Sequence, residues 1–288
     1  MEVRTDALTG AMVAVAASRQ SRPNQPVDDC PFCVGGVEAP EPYDVRAFPN
    51  RWPSFPDERC EVVLYAPDHD ATFWSIGVEG AARVIDLWAD RSAALGGRAD
   101  ITYVLVFENR GAEVGATIPH PHGQIYAYDI VPPAPAGELA RAAAMGMCPL
   151  CAEEPGDRLV SESGGWRAWA PRASMYPYGL VVAPLEHEPD LPSLSTESRR
   201  GMATVLVDVL HRLDALWGQP MPYMLWLHQR PFDETQPWTE AHLHAEIAVP
   251  LRAPGVQRYV AAGELGSGLF VNPVIPEAAA RQLREVAW

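Results

Sequence analysis

The sequence predicts a duplicated fold, with strands and one long helix in each half. Two Cys-x-x-Cys pairs, Cys30–Cys33 and Cys148–Cys151, each open the same series: strand, strand ending at a histidine, helix, strand, His-x-His. The spacing repeats as well. Cys33 to His69 and Cys151 to His187 are both 36 residues, while His69 to His120 is 51 and His187 to His242 is 55. Four anchors in one order at near-equal intervals mark an internal repeat, with halves at 1–131 and 132–288.

The first half begins with a turn at Leu8-Thr9-Gly10 and an apolar run to Ala17, then Arg19 and Arg22 in a loop. After Cys33 comes a Pro-rich loop, with a strand near Tyr43–Phe48 ahead of Asn50. Glu61–Ala66 reads as a strand ending at Pro67-Asp68-His69. From Glu79 to Leu95, Val84, Leu87, Trp88 and Leu95 recur at helical spacing, with Gly96-Gly97 as a stop. Ile101–Phe107 is β-branched and aromatic, a buried strand that gives way to a loop at Glu108-Asn109-Arg110-Gly111. The second half has an Ala-rich helix within 132–147, strands at Trp166–Ala170 and Gly179–Ala183, and a helix at Thr196–Trp217. Strands at Tyr223–Leu227 and Ala245–Val249 complete it.

The chain of 288 residues carries a net charge of −15, which argues against nucleic acid or an anionic membrane surface as partner. A phosphate site in so acidic a chain has to be built from local arginines and backbone N–H groups. No apolar run approaches the ~20 residues of a membrane span, and no signal-peptide pattern opens the chain. A cytoplasmic protein is expected. Four of the five cysteines fall in the two pairs, a pattern that in a cytosolic chain points to metal rather than disulfides.

Each half offers two cysteines and two histidines, the set that suits tetrahedral Zn²⁺. Site one is Cys30, Cys33, His69 and His120; site two is Cys148, Cys151, His187 and His242. Four protein ligands leave no open position, so both are expected to be structural. His122 then remains for chemistry. In extended backbone His120, His122 and Gln124 share a face, and an imidazole attacking phosphorus splits one displacement into two. Gln124 can hydrogen-bond a phosphoryl oxygen, and Gly115 and Gly123 let backbone approach it. His244 is followed by Ala245-Glu246, with no Gly-Gln, so one active site per chain is expected. Glu138, His228 and His244 suit either a further metal cluster or a polar network.

Leu8-Thr9-Gly10, Arg19-x-x-Arg22-Pro23, Cys30-x-x-Cys33, Pro67-Asp68-His69, Phe107-Glu108-Asn109-Arg110-Gly111 and His120-Pro121-His122-Gly123-Gln124 together resemble the galactose-1-phosphate uridylyltransferases of the histidine-triad superfamily. The resemblance implies an α+β fold of duplicated histidine-triad-like units, mainly antiparallel sheet flanked by helices. It implies ping-pong transfer of UMP from UDP-glucose through His122 to galactose 1-phosphate. It implies nucleotide and phosphate contacts at Arg19, Arg22, Asn50, Asn109, Gly115 and Thr117, with Gln124 at the transferred group. Arg258, Tyr259 and Glu264 match the family's sugar-binding segment, which crosses to the partner of a homodimer. Some members hold the second metal with a Glu and three His, matching Glu138, His228, His242 and His244; the Cys148–Cys151 pair favours the cysteine version. The same superfamily also leaves open an ADP-sugar or dinucleoside-polyphosphate phosphorylase and a zinc-bound, non-catalytic nucleotide-binding protein. Gln124 stands where a histidine-triad hydrolase carries its third histidine.

Overall fold

The computed structural model describes residues 2–16 and 30–287. Its frame is one nine-stranded antiparallel sheet to which both halves contribute. The first half supplies β3 (Arg46–Pro49), β4 (Cys60–Leu64), α1 (Gly77–Gly96), β5 (Tyr103–Arg110) and β6 (His122–Tyr128). They follow an exposed hairpin of β1 (Glu2–Thr5) and β2 (Met12–Val15). After the connecting helix α2 (Pro133–Met145) come β7 (Leu159–Ser163), β8 (Trp166–Trp169), β9 (Leu180–Pro184), α3 (Thr196–Ala215), β10 (Tyr223–His228) and β11 (His244–Ala248). A small hairpin of β12 (Leu251–Ala253) and β13 (Val256–Gln257) and the helices α4 (Ala262–Ser267) and α5 (Pro276–Glu285) end the chain.

The strand order β3-β4-β6-β5-β10-β11-β9-β8-β7 is a mirrored repeat. Read outward from the central β5–β10 pair, β5, β6, β4 and β3 correspond to β10, β11, β9 and β8. The long helices α1 and α3 occupy equivalent places and pack on each other.

The burial of β6 alternates: Gly123, Ile125 and Ala127 are buried, and His122, Gln124, Tyr126 and Tyr128 are half-buried. Successive side chains point to opposite faces. Ile125 and Ala127 join the main core with Val84, Ile85 and Trp88 of α1, so the helices cover one face and the histidines stand on the other. On that second face Phe32, Ala39, Val62 and Leu64 form a smaller apolar cluster.

Two expectations need correction. Glu108, Asn109 and Arg110 are not a loop; they extend β5, because β10 offers them ladder partners at Leu225, Met224 and Tyr223. Strand β7 is also missing from the sequence reading, because an edge strand with the pattern Leu-Val-Ser-Glu-Ser buries too little to stand out.

Candidate active site

The first ligand set assembles as the spacing predicts. The ligand atoms of Cys30, Cys33, His69 and His120 lie within 4.8 Å of one another, as do those of Cys148, Cys151, His187 and His242. Cys33 Sγ is 3.5 Å from His69 Nδ1 and 3.7 Å from His120 Nδ1. In the second set, Cys148 Sγ is 3.2 Å from His242 Nδ1, and Cys151 Sγ is 3.3 Å from His187 Nδ1. A zinc tetrahedron with Zn–S about 2.3 Å and Zn–N about 2.0 Å has S···N edges of about 3.5 Å, so both sets have room for such an ion.

The surroundings prepare neutral ligands. His120 Nε2 is 2.8 Å from the Ala66 carbonyl oxygen, which can only accept, so the proton sits on Nε2 and Nδ1 turns its lone pair to Cys33. Tyr43 Oη lies 2.9 Å from the same Nε2. Burial lowers the His120 pKa, and burial with the neighbouring His187 lowers that of His242 to about 4. Burial and the adjacent Cys148 raise the Cys151 thiol to about 11. Crowded thiols of this kind ionise readily only once a cation is present.

His122 begins β6, where it pairs with Leu64. Its Nδ1 is 2.7 Å from the His120 carbonyl oxygen. That contact places the proton on Nδ1 and the lone pair on Nε2. It also ties the ring to the residue that joins the first metal set. Phe32, inside the Cys30–Cys33 loop, packs edge-on against His122 at 5.1 Å between centroids. Asn109, Gly115, Thr117, His122 and Gln124 line one cleft of about 230 Å³. Asn50 reaches Gln124 with its side-chain amide, at 3.3 Å. Gly123 is obligatory here: a Cβ would sit 2.2 Å from Tyr65 Oη and 3.1 Å from the Phe107 carbonyl oxygen.

The second half holds a counterpart that the sequence reading understated. Gln124 pairs with Phe107, and Glu246 pairs with Trp226. His122, Gln124 and Asn109 therefore correspond to His244, Glu246 and His228. His244 Nδ1 is 2.8 Å from the His242 carbonyl oxygen, the same contact that orients His122. The residue types differ at the other positions, with Gly123, Gln124 and Asn109 replaced by Ala245, Glu246 and His228. Glu138 of α2 completes the cluster: His228 Nδ1 is 2.8 Å from its Oε2 and His244 Nε2 is 3.7 Å from it. Glu246 joins at 3.8 Å from His228 and 3.9 Å from His244. Burial pushes the Glu138 pKa up, but His228 and His244 more than offset it. The four side chains form a set separate from the cysteines, and His242 sides with the cysteines.

Two family models cover most of the chain: the galactose-1-phosphate uridyl transferase N-terminal domain over residues 50–132 and its C-terminal domain over 150–287. A galactose-1-phosphate uridylyltransferase of Thermotoga maritima is 36% identical, with 99% of this chain and 98% of the relative aligned. The chain belongs to the galactose-1-phosphate uridyl transferase family. It is an enzyme of the nucleotidyltransferase type. A solved uridylyltransferase superposes with a TM-score of 0.89 at 30% identity, over 99% of this chain and 98% of the other. An ADP-glucose phosphorylase of Arabidopsis thaliana, solved with bound ADP-glucose, gives 0.80 at 25% identity, over 100% and 99%.

In this uridyl transferase relative, Arg258, Tyr259 and Glu264 do not line the cleft described above. Arg258 is buried in an ion pair with Glu264 and stacks near Tyr176 and Phe270, whereas Tyr259 is 75% exposed. Arg19 and Arg22 lie outside the described residues.

Glu108 is a site neighbour whose state the sequence did not signal. It is 4% exposed and accepts a hydrogen bond from Tyr223 Oη at 2.7 Å. Burial raises its pKa to about 7, against the opposing pull of Tyr223 and Arg110. Its ordinary value is 4.5, so between about pH 4.5 and 7 the folded state keeps a proton that the unfolded chain gives up. Stability therefore falls as pH rises through that window, by on the order of 3 kcal/mol. Glu108→Gln should remove this slope. Urea titrations from about pH 5 to 7.5 should show the variant flatter than the parent; identical slopes would mean that Glu108 ionises as an ordinary glutamate.

Proposed function

We propose that the enzyme moves UMP between hexose 1-phosphates by a double displacement through His122. The observation that carries this reading is the tautomer of His122: Nδ1 is held by the His120 carbonyl and Nε2 is the nucleophile, in a cleft shared with Gln124, Asn109, Gly115 and Thr117. Nε2 attacks the α-phosphorus of UDP-glucose. A P–N bond forms, the P–O bond to the β-phosphate breaks, and glucose 1-phosphate leaves with the electron pair. A phosphate oxygen of galactose 1-phosphate then attacks the same phosphorus, the P–N bond breaks, and UDP-galactose departs.

Each group has a task. The His120 carbonyl stabilises the positive charge that the ring gains as the P–N bond forms. Gln124 donates from its amide to a phosphoryl oxygen. Asn109, Thr117 and the backbone at Gly115, which adopts a left-handed φ of 82°, hold the phosphates, assisted by Arg19 and Arg22. The segment of Arg258, Tyr259 and Glu264 serves the hexose across a homodimer, with Tyr259 exposed and the Arg258–Glu264 pair fixing the segment. The two Cys₂His₂ sets would hold Zn²⁺ through four protein side chains each, and the ion would fix the loops rather than react. No helix among the described residues is long and apolar enough to cross a membrane, and we assign the enzyme to the cytoplasm.

The Arabidopsis ADP-glucose phosphorylase keeps an adenine nucleotide as the second reading. Incubation with UDP-glucose or ADP-glucose labelled in the α-phosphate decides between them. Acid-labile, base-stable label on the protein is expected with UDP-glucose, because a phosphoramidate hydrolyses in acid. Label from ADP-glucose alone would overturn the uridylyl assignment.

A further inference from the structure

We propose that Asn50 is a positioning residue for Gln124: it fixes which end of the glutamine amide faces the transferred phosphoryl group. The inference rests on the UMP-transfer reading above. The Trp52 backbone N–H points at Asn50 Oδ1, 2.8 Å away. A donor selects the oxygen end of an amide, so the orientation of Asn50 follows from chemistry. Its Nδ2 is then on the opposite side, where it donates to Gln124 Oε1 at 3.3 Å. Gln124 therefore turns its carbonyl toward Asn50 and leaves its NH₂ end for the cleft.

The choice matters because a phosphoryl oxygen only accepts. A glutamine amide flipped end for end has nearly the same shape, yet it would set a carbonyl oxygen against phosphate oxygens and turn attraction into repulsion. Nothing in glutamine itself selects the flip. Asn50 selects it from a fixed platform, since its own N–H donates to the Cys60 carbonyl at 2.8 Å just past β3.

The second half serves as an internal control. Phe48 pairs with Val62, which pairs with Gln124; Trp169 pairs with Val181, which pairs with Glu246. Two residues beyond Phe48 is Asn50, and two beyond Trp169 is Pro171. Proline has no side-chain donor, and Glu246 has no amide to orient. The imidazole and its backbone contact persist in both halves, whereas the pair of amides occurs only beside His122.

The test compares Asn50→Asp and Asn50→Ala, each alone and with Gln124→Ala, in steady-state UMP transfer and thermal unfolding. Aspartate still accepts from Trp52, but its second oxygen accepts from the Gln124 NH₂ and so reverses the glutamine. We expect kcat to fall about 100-fold with KM changed less than about twofold, the scale of one lost transition-state donor. Alanine leaves both flips accessible and should cost about tenfold or less. With Gln124→Ala, Asn50→Asp should cost at least about tenfold less in kcat than it does in the parent, because that part of its effect runs through the glutamine. If Asn50 only caps its loop the order inverts, with aspartate near the parent and alanine worse, and the inference fails. It also fails if aspartate costs the same with and without Gln124, which would make the nucleotide contact expected of Asn50 its whole role. Asn50→Ser, which keeps an acceptor for Trp52 and lacks the amide, replaces alanine if that variant does not fold. Parent enzyme that forms no protein adduct would overturn the transfer reading and this inference with it; an adduct in the parent with an indifferent Asn50→Asp overturns the inference alone.

Discussion

His122→Gly is expected to lower UMP transfer by about 10⁴-fold or more and to abolish acid-labile labelling by UDP-glucose, with thermal stability close to that of the parent. The size follows from the role: a covalent route disappears entirely when its nucleophile is removed. Stability should survive because His122 is half-buried on the face of β6 away from the main core. The ring does pack against Phe32, so a small loss there is expected. His244 supplies the contrast. It has the same backbone contact but faces Glu138 and Glu246 instead of an amide donor. Two carboxylates repel the phosphates that a nucleophile must approach. His244→Gly should leave protein labelling intact. If His122→Gly still carried label, the nucleophile would be another residue and the double displacement through His122 would be wrong.

The duplication explains which parts of the site the sequence disclosed. Ligand chemistry is written in residue type and interval, so Cys30, Cys33, His69 and His120 were legible as a set, and the equal interval in the second half doubled the signal. Strands with strong apolar character, such as Val104 to Phe107, were legible for the same reason. Glu108 to Arg110 were not, because their place in β5 depends on β10, a partner 115 residues away at the Tyr223–Glu108 contact. The correspondence of His244 with His122 was obscured by Gly-Gln becoming Ala-Glu. Register reveals it, since position in a ladder is independent of what the side chain does. Glu246 could have been found by that route: it sits two residues past His244, as Gln124 sits two past His122. The link between Asn50 and Gln124 could not, because it joins residues 74 apart through a bond whose direction Trp52 sets.

The second large effect is expected from the first metal set, and the two halves make it a controlled comparison. With zinc in both Cys₂His₂ sets, as proposed, Cys33→Ser and Cys151→Ser should each remove one zinc per chain. Their effects on transfer should differ sharply. Cys33 faces both His69 and His120, and the His120 carbonyl orients His122 while Phe32 of the same loop packs on its ring. Loss of a metal held there would loosen the nucleophile on two sides. A displacement of about 1 Å at a reacting group is enough for about a 100-fold loss, and we expect at least that. The folding cost should be on the order of 5 kcal/mol, less than zinc supplies to a small finger peptide, because Phe32 and Leu64 still form an apolar cluster beneath the loop. Cys151 faces His187 and His242, and His242 orients only His244. Its loop packs through Leu150 against Trp169, Val181 and Ala183, away from His122. Cys151→Ser should thus lose one zinc and stability yet keep transfer within about threefold of the parent at a temperature where it remains folded. Equal loss of transfer in two folded variants would show that the metals act on the fold alone, and that the tie from His120 to His122 does not aim the nucleophile.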